Sequence, residues 1–156
     1  MELKYGMGDE LKDPITGFTG IVLSITEHST GCIHYGLQAQ SLDKDGKPGV
    51  DCWFDQTRLT PVNAKKVDFP TPAPQYRLFQ QVKDKVTALK GTILAVARHS
   101  DNTVSYGIQQ SELDKNGKVR DYEWTGEHRI ILVKDVPKAK DEKEPPGGPG
   151  QECSMR

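Results

Sequence analysis

Apolar and polar positions alternate strictly in two stretches of the chain. Ile33, Tyr35 and Leu37 interleave with Cys32, His34 and Gly36, and Val104, Tyr106 and Ile108 recur at the same spacing further on. A period of two predicts a half-buried strand. Ahead of each stretch lies an aliphatic, β-branched run, residues 20–26 (GIVLSIT) and 91–97 (GTILAVA), with the composition of a buried strand. Behind each comes a turn dipeptide, Asp45-Gly46 or Asn116-Gly117. Such dipeptides supply the φ > 0 residues of a tight hairpin. Short strands are predicted around Trp53 and Trp124, polar half-turns at 55–57 and 126–128, and closing strands at 58–61 and 129–132. Opening strands at 10–12 and 81–83 bring each set to five.

The two sets are copies of one unit. Shifted by 71 positions, residues 11–62 align with 82–133 without a gap, and 18 of the 52 pairs are identical. Among them are Lys12/Lys83, Asp13/Asp84, Gly20/Gly91, His28/His99, Tyr35/Tyr106, Trp53/Trp124 and Arg58/Arg129. Self-similarity of this length points to duplication. Five short antiparallel strands in about 55 residues bury a core only by curling on themselves. The fold class is therefore read as all-β, with two tandem SH3-like five-stranded barrels. Inward positions are expected at Ile15, Phe18, Val22, Ile33, Tyr35, Leu37, Trp53 and Leu59, and at their partners 71 residues later. Cores this small are marginal alone, so the barrels are expected to pack as a pseudo-two-fold pair.

The predicted organisation is barrel one at 1–62, a Pro-rich linker at 63–78, barrel two at 79–133 and an irregular C-terminal arm at 134–156. Pro70, Pro72 and Pro74 alternate in the linker, which favours extended polyproline II. The arm has almost no apolar side chains and is expected to be disordered alone; it reads either as an unselected terminus or as an arm that orders on a neighbouring subunit.

Charge narrows the partners. The chain of 156 residues has a formal net charge of -1, without the basic excess of a protein that lives on phosphates. Residues 8–62 hold four basic and eight acidic side chains, whereas residues 79–133 hold eight and seven. An acidic first half suits a basic protein surface and not nucleic acid. No apolar run approaches a membrane span, and the opening MELKYGMGDE lacks the regions of a signal peptide.

Candidate chemistry is sparse. Phosphate-binding glycine loops, the G-x-S-x-G elbow and C-x-x-C pairs are missing. Asp43-Lys44-Asp45-Gly46 has its glycine at position four, not six as a calcium loop requires. His28, Cys32 and His34 form H-x3-C-x-H, but only the histidine recurs in the second copy. A solvated strand face is the expected setting, and neither metal nor cofactor is expected. Were the chain an enzyme, His28, His34 and Asp55 in a pocket between the barrels would be the first candidates. Alternation places Cys32 and Cys52 outward, while Cys153 lies on the arm; Cys153, with Cys32 and Cys52, is a candidate for an intermolecular disulfide. Tyr35/Tyr106, Trp53/Trp124, Arg58/Arg129 and His28/His99 are the repeated positions expected to serve either a core or a binding groove.

The segments GDELKDPITGFTGI (8–21), GCIHY (31–35), DKDGK (43–47) and WFDQ (53–56) resemble small SH3-like-barrel proteins of tailed bacteriophages and prophages. The likeness covers both copies; the second keeps VKDKVT (82–87) but has Ala88 in place of Gly17. It implies a phage protein, a virion accessory on the capsid as decoration, or on the collar, neck or tail. The Gly17 and Gly20 opening is also similar to KOW-type barrels, which bind RNA or proteins. The expectation is a non-catalytic docking protein of the virion, assembled in the host cytoplasm, that binds other virion proteins or its own copies. The alternative is an intracellular phage regulator binding nucleic acid or a host protein, with Lys83, Lys85 and Lys90 as its phosphate contacts.

Overall fold

The computed structural model describes residues 2–134. Residues 135–156, and with them Cys153 and nearly all of the expected arm, lie outside the described residues. The described chain is all-β. Its strands are β1 (Glu10–Lys12), β2 (Thr19–His28), β3 (Ile33–Gln38), β4 (Asp51–Asp55), β5 (Thr60–Asn63), β6 (Gln81–Asp84), β7 (Lys90–His99), β8 (Val104–Gln109), β9 (Glu123–Gly126) and β10 (Ile130–Lys134). Short 3₁₀ turns, Gln56–Arg58 and Glu127–Arg129, precede β5 and β10. All ten strands belong to one antiparallel sheet. Within the first half the pairing runs β5-β1-β2-β3-β4, and within the second β10-β6-β7-β8-β9.

Each half has its own core. Leu11, Val22, Ile25, Ile33, Tyr35, Leu37, Phe54 and Leu59 form the first, and Val82, Ile93, Val96, Val104, Tyr106, Ile108 and Ile130 the second. Several expected core positions are corrected. Ile15 and Val86 are 76% and 75% exposed, because they ride on the β1–β2 and β6–β7 turns and not on strands. Trp53 and Trp124 point outward. Tyr35 faces Phe54 across the ladder and Gly36 faces Trp53, and directly opposed residues share a face, so the inward aromatic is Phe54. The same register turns Cys52, opposite Leu37, toward the core and not outward; it is a free, half-buried thiol. The Asp45-Gly46 turn stands at the tip of the antiparallel β3–β4 hairpin, as expected. Gly46 adopts φ 75°, and its turn is pinned by a bridge from Leu42 to Pro48.

Two polar devices recur in both halves. Arg58 donates from Nε and Nη2 to the two oxygens of fully buried Asp13, at 2.9 and 2.8 Å, and Arg129 holds Asp84 in the same way. The Arg58 guanidinium, helped by Thr16 and the Ile15 and Thr16 amides, holds the Asp13 carboxyl well below the usual range. For Asp84 the Val86 amide leads, with Arg129 and Thr87, and holds the carboxyl at about 2. The arginines are thus braces for the β1–β2 and β6–β7 turns. In the second device, Tyr5 stacks edge-on against Tyr35, and its hydroxyl donates to the Leu59 carbonyl. Tyr76 repeats this against Tyr106 and Ile130. The duplication therefore reaches back to Tyr5/Tyr76, ahead of the aligned segment.

No strand or helix occurs between β5 and β6. The first part of this connection packs on the first half, where Val67 donates to the Gly8 carbonyl and Phe69 lies against the first core. Its last part, with Tyr76 and Leu78, packs on the second half. No helix of the described residues is long and apolar enough to cross a membrane.

Candidate functional site: the seam between the repeats

The site originates in a mismatch of strand lengths. β2 has ten residues and β1 only three, so β1 covers one edge of β2 as far as Ile21 and leaves the rest open. The repeat leaves β7 open in the same place, and the two open edges pair antiparallel. The register sets Thr26 opposite Ala97, its own repeat equivalent, with Ser24 opposite His99 and His28 opposite Ala95. A pseudo-dyad therefore passes through the Thr26/Ala97 pair. Bulges at Val22/Ser24 and Ile93/Ala95 turn the intervening carbonyls toward the other half. Ser29 donates to the Leu94 carbonyl at 2.8 Å, and Ser100 to that of Leu23 at 2.9 Å.

Over this seam lies a cleft of ≈ 510 Å³. Its lining is four repeat-related pairs: Thr26/Ala97, His28/His99, His34/Ser105 and Trp53/Trp124. Gly36 and Gly107 make room for the tryptophans; a Cβ on Gly36 would sit 3.0 Å from the Trp53 ring. Trp124 remains 42% exposed.

The floor is polar. His28 Nε2 and His34 Nδ1 are 3.1 Å apart and share one proton. His34 Nε2 is buried without a hydrogen bond, with Asp55 Oδ2 at 3.9 Å. The nearby carboxylate favours the tautomer with the proton on Nε2, in which Nδ1 accepts from His28. Burial pulls both imidazoles below the usual histidine range; the neighbouring imidazole reinforces this at His28, and Asp55 opposes it at His34. The expected solvated face for His28 and His34 is therefore corrected: they are only 7% and 3% exposed, packed edge-on against each other beside the seam. In the second half His99 lies between two hydroxyls, Ser24 Oγ at 3.0 Å and Ser105 Oγ at 2.9 Å. His28 has no matching cross-seam hydroxyl, since Ala95 stands at the equivalent of Ser24.

This arrangement divides the parts of a nucleophilic triad. The carboxylate Asp55 stands beside His34, whose other nitrogen meets an imidazole, whereas the serines bracket His99. A triad needs acid, imidazole and hydroxyl in one chain of contacts. Among the described residues no group of three or more His, Cys, Asp or Glu is placed to hold a metal ion.

The expected site residues thus separate. His28, His99, His34, Trp53 and Trp124 meet in the cleft. Tyr35 and Tyr106 are core, and Arg58 and Arg129 brace turns. Lys83 lies opposite Lys90 on β6 and β7, outside the cleft lining. Thr26, Ser24 and Ser105 join the site without a motif to announce them. Thr26 stands across from its repeat equivalent Ala97, and Ser24 and Ser105 enter through their hydrogen bonds to His99.

Beside the cleft, on the first half, runs a shallower groove of ≈ 910 Å³ that shares His34 and Trp53 with it and adds Asp51, Cys52, Phe54, Asp55 and Arg58. Comparison with known protein families, with curated proteins and with solved structures finds no match.

Proposed function

We propose that this chain is a non-catalytic docking protein of a tailed-phage particle, built from two SH3-like barrels that act as one unit. The barrel reading is supported by the pairing β5-β1-β2-β3-β4 with a 3₁₀ turn before the last strand, repeated in both halves. The observation that carries the docking reading is the seam cleft, which gathers both tryptophans of the chain on an accessible surface. Large aromatics in a cleft are anchors for partners, because they bury much apolar area at little cost in side-chain entropy. The division of acid, imidazole and hydroxyl between the halves supports a non-catalytic role. The particle assignment rests on the likeness of residues 8–21, 31–35, 43–47 and 53–56 to phage barrel proteins.

Mass spectrometry of gradient-purified particles tests this reading. The chain should be present at a fixed ratio to the major virion proteins. Its absence from particles, together with salt-sensitive retention on nucleic acid or capture of a host protein, would move the assignment to the intracellular regulator.

A further inference from the structure

We propose that the seam cleft and the groove beside it together receive one extended peptide segment of a partner protein, with an aromatic side chain in the cleft and a basic side chain two positions on in the groove. The inference rests on the docking reading and names the chemistry of its partner. The two depressions share Trp53 and His34, so a strand-like ligand can run from one into the other. The cleft has no carboxylate, ammonium or guanidinium in its lining and two indoles on it, which suits an uncharged aromatic group.

The groove has the opposite character. Asp51 is an exposed carboxylate with no ion-pair partner among the described residues, and Asp55 follows four positions on. Arg58 also lines the groove, but its guanidinium is committed to Asp13. The uncompensated charge is therefore negative and suits Lys or Arg. At the junction sits the buried Nε2 of His34, without a hydrogen-bond partner among the described residues.

The ligand would lie in one direction only. The positions equivalent to Asp51 and Asp55 are Tyr122 and Gly126, so the pseudo-dyad is broken in charge although it is kept in shape. A two-fold cleft with one acidic flank reads an asymmetric segment.

The test uses the full chain and its own fluorescence, since its two tryptophans both line the cleft. The probe is acetyl-Gly-Phe-Arg-Lys-Gly-amide, with one control carrying Ala for Phe and another carrying Glu-Glu for Arg-Lys. The basic aromatic peptide should shift tryptophan emission saturably, with a Kd below about 1 mM. Each control should bind about tenfold more weakly, as the loss of an anchor or of charge complementarity requires. Asp51→Asn, on the exposed face, should weaken the basic peptide about threefold and leave the Glu-Glu peptide no weaker. Equal binding of basic and acidic peptides, or no saturable shift with any of them, overturns the proposal. Either result leaves the particle measurement standing, so the two readings fail separately.

Discussion

Glu27 and Arg98 occupy the same position in the two repeats, yet they meet across the seam as an ion pair, Nη1 to Oε1 at 2.6 Å, with less than a fifth of either side chain exposed. In a symmetric dimer of one repeat, this site would bring two like residues together. Here duplication has let the copies take opposite charges, which favours first-with-second pairing over either self-pairing. Reversing one charge, Glu27→Arg, should cost about 2–3 kcal/mol in urea unfolding, because it leaves two confined guanidiniums without a counter-ion. The swap Glu27→Arg with Arg98→Glu should restore most of that loss. A swap no more stable than the single variant would show that the pair does not govern the seam.

Ala88 carries a strain that its repeat partner avoids. It has φ 63°, where Gly17 has φ 79°. A Cβ is disfavoured in this left-handed region, and glycine is not. A Cβ added at Gly17 would meet nothing within 4 Å, so the strain of a side chain at this turn position is one of backbone and not of contact. Ala88→Gly should raise stability by about 0.5–1 kcal/mol, the strain relieved less the extra entropy of an unfolded glycine. A lower urea midpoint for this variant would refute the reading.

Acid should loosen the turns before it reaches the cores. Asp13 and Asp84 titrate below their unfolded range, so folding favours their ionised form. Their contribution is complete above about pH 4 and is lost as pH falls through the folded values, near 2 for Asp84. Thermal scans between pH 5 and 2 should show a steep fall in Tm, and Asp84→Asn should start lower and fall less. A parallel curve for the variant would remove Asp84 from the acid response.

The seam responds in a different window. His28 and His34 are buried neutral and titrate below their unfolded value. Their contribution is complete above about pH 6.5 and is lost as pH falls toward the folded values, since the unfolded chain then binds more protons. The urea midpoint should fall between pH 7 and 5. His34→Ser, the residue found at the equivalent position 105, should flatten that fall. A wild-type midpoint unchanged across this interval would contradict the buried neutral pair.

The strands and their order are legible in the sequence because period-two patterning and a gapless repeat report local geometry directly. Register is less so. Trp53, large and apolar, reads as an inward residue, but the pairing of Gly36 with Trp53 puts it outside, and only the neighbouring strand reveals that. Ile15 misleads for the opposite reason: its alternation belongs to a turn. The seam is hidden more deeply, because it depends on how far β1 runs along β2, a length difference that hydrophobicity does not encode. His28 and His34 read as solvent-facing, yet they are buried beside the seam, whose position strand alternation does not report.

The tryptophan cleft on the seam is proposed as the working surface of a particle protein. That role is tested most directly by comparing the copy number of wild type and of a Trp53→Ala, Trp124→Ala double variant on gradient-purified particles, with folding of the variant checked by urea unfolding. Wild type should keep a fixed copy number, and the folded variant should be lost from the particles. Retention of the variant at the wild-type level would contradict that role.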